Sequence, residues 1–163
     1  MATAPRTGET TFTTPSEREV VAARVFEAPR ELVWKAYTEP EHLRQWMGGY
    51  EGWAIAVCEV DLRPGGAYRY VWRKEDGEEL TISGVHKEID PPERLVVTES
   101  WGGDWPEARN TLVFEEEDGR TTLTVTVLYP SQEARDAALA TGMTDGWSVS
   151  YDRLDDHLRS LAA

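Results

Sequence analysis

Three side chains have the chemistry for proton transfer or ligand orientation: His86, Glu88 and Glu99. In Leu80-Thr-Ile-Ser-Gly-Val-His-Lys-Glu-Ile89, strand parity puts Gly84, His86 and Glu88 on the face of Leu80 and Ile82. In Arg94 to Trp101 the same parity joins Glu99 to Leu95, Val97 and Trp101. An imidazole and carboxylates on apolar faces are costly to bury unless they pair or meet a ligand. In a cavity they would orient a bound molecule, or act as acid and base for a rate gain of ~10² to 10⁴. Gly84 offers a competing outcome, because a bulge there would turn His86 and Glu88 to solvent.

Aromatic residues supply the second signal, with 7 Trp and 6 Tyr in 163 residues. A plain core is more usually built from Leu, Ile and Val, which carry no polar atoms to satisfy. Trp and Tyr present wide flat faces with an N–H or O–H at one end, which suits a ring-containing ligand. Trp46, Tyr70, Trp72, Trp101, Trp147 and Tyr151 are therefore the expected ligand-binding walls, with His86 and Glu88 as the polar handle. Tyr50 and Tyr68 fall in the same set; the competing expectation is that all these rings simply fill the core. Gly102-Gly103-Asp104-Trp105-Pro106 reads as a lid over a cavity mouth, a turn whose Trp packs on a neighbour, or a dimer contact.

Other chemistry has little support. No nucleophile elbow, HExxH, phosphate loop, CxxC or GxGxxG occurs, and no cofactor is expected. The other two histidines, His42 and His157, lie on polar helical stretches and are expected in solvent, and the three show no metal-ligand spacing. Cys58, the single cysteine, cannot form an internal disulfide and fits a reducing, cytoplasmic setting as a small buried residue.

The elements that position these groups follow from periodicity. Met1 to Pro15 is rich in Thr, Pro and Gly and reads as a frayed tail, leaving residues 16–163 as one domain. Glu19 to Phe26 is a strand in which Val21, Ala23 and Val25 alternate. Pro29 opens a helix, Thr38-Glu-Pro-Glu breaks it, and a second helix holds Leu43, Trp46 and Met47 on one side before Gly48-Gly49. Period two then takes over, with turns at Pro64-Gly-Gly, Glu75-Asp-Gly, Asp90-Pro-Pro and Glu117-Asp-Gly. Met143, Trp147, Tyr151, Leu154, Leu158 and Leu161 form a helical stripe at the C-terminus, with glycines 142 and 146 marking a kink or close approach. An α+β fold follows: a curved antiparallel sheet of about seven strands gripping one long helix.

Net charge −13 argues against nucleic acid or an anionic membrane as partner, and no apolar run is long enough to span a bilayer. A monomer or homodimer binding a small hydrophobic or aromatic molecule fits this composition.

Pro29 to Trp46 (PRELVWKAYTEPEHLRQW) resembles the helical opening of the START-like superfamily, in the branch named after the activator of the heat-shock protein 90 ATPase. Asp61-Leu-Arg-Pro-Gly-Gly-Ala-Tyr68, Gly84 to Glu88, Asp90-Pro-Pro-Glu-Arg-Leu95 and Gly142 to Leu154 match that family in order and spacing, so the likeness spans about residues 18–162. The resemblance implies the helix-grip fold and a cavity between sheet and long helix that binds hydrophobic small molecules. The wider superfamily includes polyketide cyclases and aromatases, lipid carriers and antibiotic self-resistance proteins. A cyclase- or aromatase-like enzyme using His86 with Glu88 or Glu99 is thus one alternative. A co-chaperone-type interaction module is another, although this chain has no room for the extra N-terminal domain that grips the chaperone.

Overall fold

The computed structural model describes residues 8–47 and 52–162. Alternating burial defines β2 (Glu19–Phe26), and the inward set is Val20, Ala22, Arg24 and Phe26, opposite to the Val21, Ala23 and Val25 series. Pro29 caps α1 (Arg30–Thr38), and Pro40 opens α2 (Pro40–Trp46) at a position where its missing N–H costs nothing. The Gly48-Gly49 stop and Tyr50 lie outside the described residues.

Six strands then run as a meander: β3 (Trp53–Val60), β4 (Ala67–Lys74), β5 (Glu79–Asp90), β6 (Arg94–Glu99), β7 (Ala108–Glu117) and β8 (Arg120–Leu128). With β1 (Thr11–Thr13), they and β2 form an eight-stranded sheet in the order β1-β2-β8-β7-β6-β5-β4-β3, antiparallel throughout. The extra strand lies within the segment expected to fray: Phe12 pairs with Ala22, and its ring meets Trp147 edge-on at 5.5 Å.

Two bulges set which residues face inward. Between Ile55 and Val57 the register with β4 slips, so Ile55 opposes Trp72 while Cys58 opposes Tyr70. Between His86 and Glu88 the register with β6 slips by one, so His86 opposes Val97 while Glu88 opposes Val96. Gly84 itself is not bulged and pairs with Tyr68.

Ser131 caps α3 (Gln132–Ala140) by accepting from the Ala134 N–H at 3.1 Å. Gly142, at φ +80°, separates it from α4 (Met143–Ala162), the long helix. Tyr151, Leu154 and Leu158 are fully buried under the sheet, each leucine contributing about 1.5–3 kcal/mol, while Leu161 is exposed. A buried cation fixes the helix from the other side. Arg24 on β2 is 2% exposed and reaches Asp152 at 2.7 Å and Asp155 at 3.5 Å, both on α4. This is the α+β helix-grip arrangement. No helix among the described residues is long and apolar enough to cross a membrane.

Candidate functional site: an aromatic cavity under the long helix

A cavity of about 210 Å³ separates α4 from the sheet. An apolar hollow of ~150 Å³ already holds a benzene-sized guest, so this one suits a molecule of one or two rings. Inward positions of β4 supply Tyr68, Tyr70 and Trp72, and β5 supplies Ile82 and His86. Leu95, Val97 and Glu99 of β6 continue the wall to Trp101. Asn110, Leu112, Val125, Val127 and Tyr129 close the far side. Met143, Trp147 and Tyr151 of α4 form the roof beside Tyr37, Trp46 and Met47. Exposed Leu80 also touches the cavity, which places a solvent-facing rim there.

Most polar tips of these rings are already satisfied within the protein. Trp46 Nε1 donates to the Ala36 carbonyl at 2.9 Å, and the hydroxyls of Tyr37 and Tyr151 share a 2.8 Å hydrogen bond. Tyr68 donates to the Thr98 carbonyl, and Tyr129 to Met143 Sδ at 3.5 Å. Burial pushes the phenols of Tyr37, Tyr68, Tyr70 and Tyr129 well above their ordinary range, and that of Tyr151 up to about 12, so all are neutral at physiological pH. With their hydroxyls mainly tied down, the rings present faces and edges to the hollow.

The unspent polarity sits in a few places. Trp72 Nε1 and Asn110 Oδ1 are buried without a hydrogen-bond partner among the described residues. His86 is 3% exposed and its Nδ1 lies 2.9 Å from the Gly66 carbonyl. A carbonyl only accepts, so Nδ1 carries the proton and Nε2 of a neutral ring is an acceptor. Glu99 accepts from Trp101 Nε1 and from Asn110 Nδ2, each at 3.0 Å. Burial raises its pKa, and these two donors only partly oppose the rise.

That shift has a consequence for stability. A raised carboxyl binds its proton more tightly folded than unfolded, so its contribution is most favourable at acidic pH and declines as pH climbs through the raised value. Glu99→Gln carries no such penalty. Its amide oxygen still accepts from Trp101, and its NH₂ can serve Asn110 Oδ1 once the Asn110 amide turns over. The variant is expected to melt above wild type at pH 7, with the gap closing towards pH 4. Equal melting temperatures at pH 7 would remove burial of the charged form as a cost.

Trp46, Tyr70, Trp72, His86, Trp101, Trp147 and Tyr151 all lie on the cavity wall, as does Glu99. Glu88 does not. The bulge after His86 turns it outward, where it pairs with Arg94 at 3.1 Å on the half-exposed surface. The bulge falls at Lys87, three residues beyond the glycine offered as its host. His42 and His157 are not simply solvated: His42 Nδ1 lies 3.0 Å from His157 Nε2, joining α2 to α4. Burial, then the neighbouring His42, lowers the pKa of His157. Cys58 is buried, and burial raises its thiol pKa away from reactivity. In the 102–106 loop, Trp105 packs on Trp101 at 5.0 Å between ring centroids, which is the turn arrangement. No cluster of metal ligands occurs among the described residues.

Sequence reading missed Asn110, Tyr129 and Tyr37. Asn110 had a usable signal, because it shares parity with Ala108, Leu112 and Phe114, all buried. A polar residue in such a series must be paired or must serve a ligand.

Comparison with known proteins agrees with this architecture. A protein from Rhodobacter sphaeroides of known crystal structure is 31% identical, with a TM-score of 0.87 over 94% of this chain and 99% of that one. Protein Ms6760 from Mycobacterium smegmatis is 26% identical, with a TM-score of 0.81 over 92% of this chain and 97% of that one. An AHSA1-like protein from Aeromonas hydrophila shares the fold at 20% identity, with a TM-score of 0.69 over 87% of this chain and 94% of that one. No curated protein matches the chain. The family model described as activator of Hsp90 ATPase homolog 1-like protein matches residues 27–159, from the start of the helical opening to the last turns of α4. The chain belongs to the activator of Hsp90 ATPase homolog 1-like family, within the START-like helix-grip fold.

Proposed function

We propose that this protein binds a small, largely apolar, ring-containing molecule in the hollow between α4 and the sheet. The observation that carries the reading is an about 210 Å³ space walled by indole and phenol rings. A protein interior normally fills such a space with its own side chains, because an unfilled hollow forfeits dispersion contacts and destabilises the fold. Trp46, Tyr70, Trp72, Trp101, Trp147 and Tyr151 serve as walls, and His86 with Glu99, rather than Glu88, as polar groups. A ligand of two fused rings fits the volume better than a larger polycycle. Cys58, buried and the single cysteine of the sequence, suits a cytoplasmic setting.

Titration with naphthalene- and indole-sized compounds, read by tryptophan emission and by melting temperature, tests this. Binding at 100 times Kd adds ~2.7 kcal/mol of stability, enough to move a melt by several degrees. If neither emission nor melting responds to any compound of this size, the ligand-binding reading fails.

A catalytic alternative rests on His86 and Glu99 lining the same cavity from adjacent strands. In a cyclase- or aromatase-like reaction they would act as base and acid. His86→Ala would then abolish turnover of a bound substrate while affinity changes modestly. Unchanged turnover would exclude this use of the imidazole.

A further inference from the structure

We propose that the cavity selects an aromatic amine: a ring-bearing body whose protonated amino head sits on Glu99. The inference rests on the ligand-binding reading above and names the ligand's chemical class.

Hydrogen-bonding capacity at this end of the hollow is lopsided. Glu99 presents two carboxylate oxygens, each taking one N–H, from Trp101 Nε1 and Asn110 Nδ2. A carboxylate oxygen has room for a second donor, so both keep an open acceptor position. Asn110, another residue of the wall, is 9% exposed and spends its Nδ2 on Glu99, while its Oδ1 is buried with no donor among the described residues. The open acceptor positions of one carboxylate suit an ammonium group, which brings three donors.

Charge points the same way. Among the described residues Glu99 is the only carboxylate on the wall, and no Lys or Arg lines it. An ammonium against a carboxylate in apolar surroundings makes a charge-assisted hydrogen bond, about twice as strong as a neutral one. Trp101, Tyr129 and Trp147 lie on the same wall, and aromatic rings attract a cation placed over them. A carboxylic acid ligand would meet a like charge with no Lys or Arg on the wall to offset it. The unpartnered donor Trp72 Nε1 belongs to β4 opposite Leu80, whereas Glu99 lies across from Gly84, the partner of Tyr68. Four residues of strand, roughly 13 Å, separate Trp72 from Tyr68, so the indole N–H cannot shield an anion placed at Glu99.

Three naphthalenes that differ only in their head group form the test: 2-(1-naphthyl)ethylamine, 2-(1-naphthyl)ethanol and 3-(1-naphthyl)propanoate. Calorimetric titration at pH 7.5 should give the amine an affinity at least 10-fold above the alcohol, with the acid weakest. In Glu99→Gln, whose cooperative melt certifies the fold, the amine should lose that advantage over the alcohol. An amine no tighter than the alcohol, or an advantage that survives in Glu99→Gln, overturns the amine assignment. Alcohol binding would in that case leave the aromatic-ligand reading standing. If none of the three binds wild type, both fail together.

Discussion

Arg24→Ala should lower stability by about 3–5 kcal/mol, the range seen when one partner of a buried ion pair is removed. Arg24 is 2% exposed on β2, and its guanidinium joins Asp152 and Asp155 of α4 to the sheet while also donating to Thr10 Oγ1 at 3.1 Å. The two acids do not share the loss equally. Asp152 is 64% exposed at its side chain and can rehydrate, whereas Asp155 is 10% exposed and would keep only Arg159 at 3.3 Å. The cost therefore falls on Asp155, on the space vacated by the arginine stem, and on the guanidinium, whose Cζ lies over the Phe26 ring at 5.5 Å. Arg24→Met keeps that stem and should cost less. Combining it with Asp155→Leu should recover most of the loss, because replacing both charges with apolar groups is often neutral or better. Chemical denaturation of the three variants measures this. A loss below about 1 kcal/mol for Arg24→Ala, the ordinary worth of an exposed pair, would mean the bridge does not hold α4 in place.

Gly84→Ala should cost at least about 3 kcal/mol, the upper end of the range for overpacking a tight interior. The reason is space alone, since Gly84 carries no positive φ. A Cβ at this position would lie 1.8 Å from the Thr98 carbonyl oxygen and 2.8 Å from Tyr68 Cε1. Tyr68 crosses above this glycine to donate its hydroxyl to that same carbonyl. Beneath, Thr98 Oγ1 accepts from the Val85 N–H at 2.9 Å, so β6 cannot retreat without breaking a second bond. The methyl must displace either Tyr68 or the strand. Displacing Tyr68 also distorts the cavity wall, so any ligand found for the hollow should bind more weakly to this variant. A melting temperature within two or three degrees of wild type would show that β5 and β6 can part without harm.

Glu99 and the rings around it were legible because β6 runs without irregularity from Arg94 to Glu99, so counting by twos from Leu95 reaches the cavity wall each time. The same count failed at Glu88 because one extra residue, Lys87, enters β5 between two paired positions. A bulge belongs to the match between two strands, and a single strand's pattern does not contain it. Arg24 was hidden for a related reason. Val21, Ala23 and Val25 are the more apolar series of β2, yet they face away from α4, and the charged member of the other series is paid for by acids 128 and 131 residues later. The His42–His157 contact spans 115 residues and depends on how α2 settles against α4. The order of elements, by contrast, is carried by local turns and breaks. Pro40, Gly77 and Asp118-Gly119 each stand where the chain ends one element and begins the next.

The two outermost strands bear on how copies of this protein meet. One rim of the sheet is β1, three residues long; the other is β3, whose ladder is kinked between Ile55 and Val57. A neighbour arriving alongside would find too few free amides at the first rim and a mismatched spacing at the second, so neither side extends smoothly into a shared sheet. Growth of ordered aggregates by strand addition is thereby discouraged while the interior hollow is left intact.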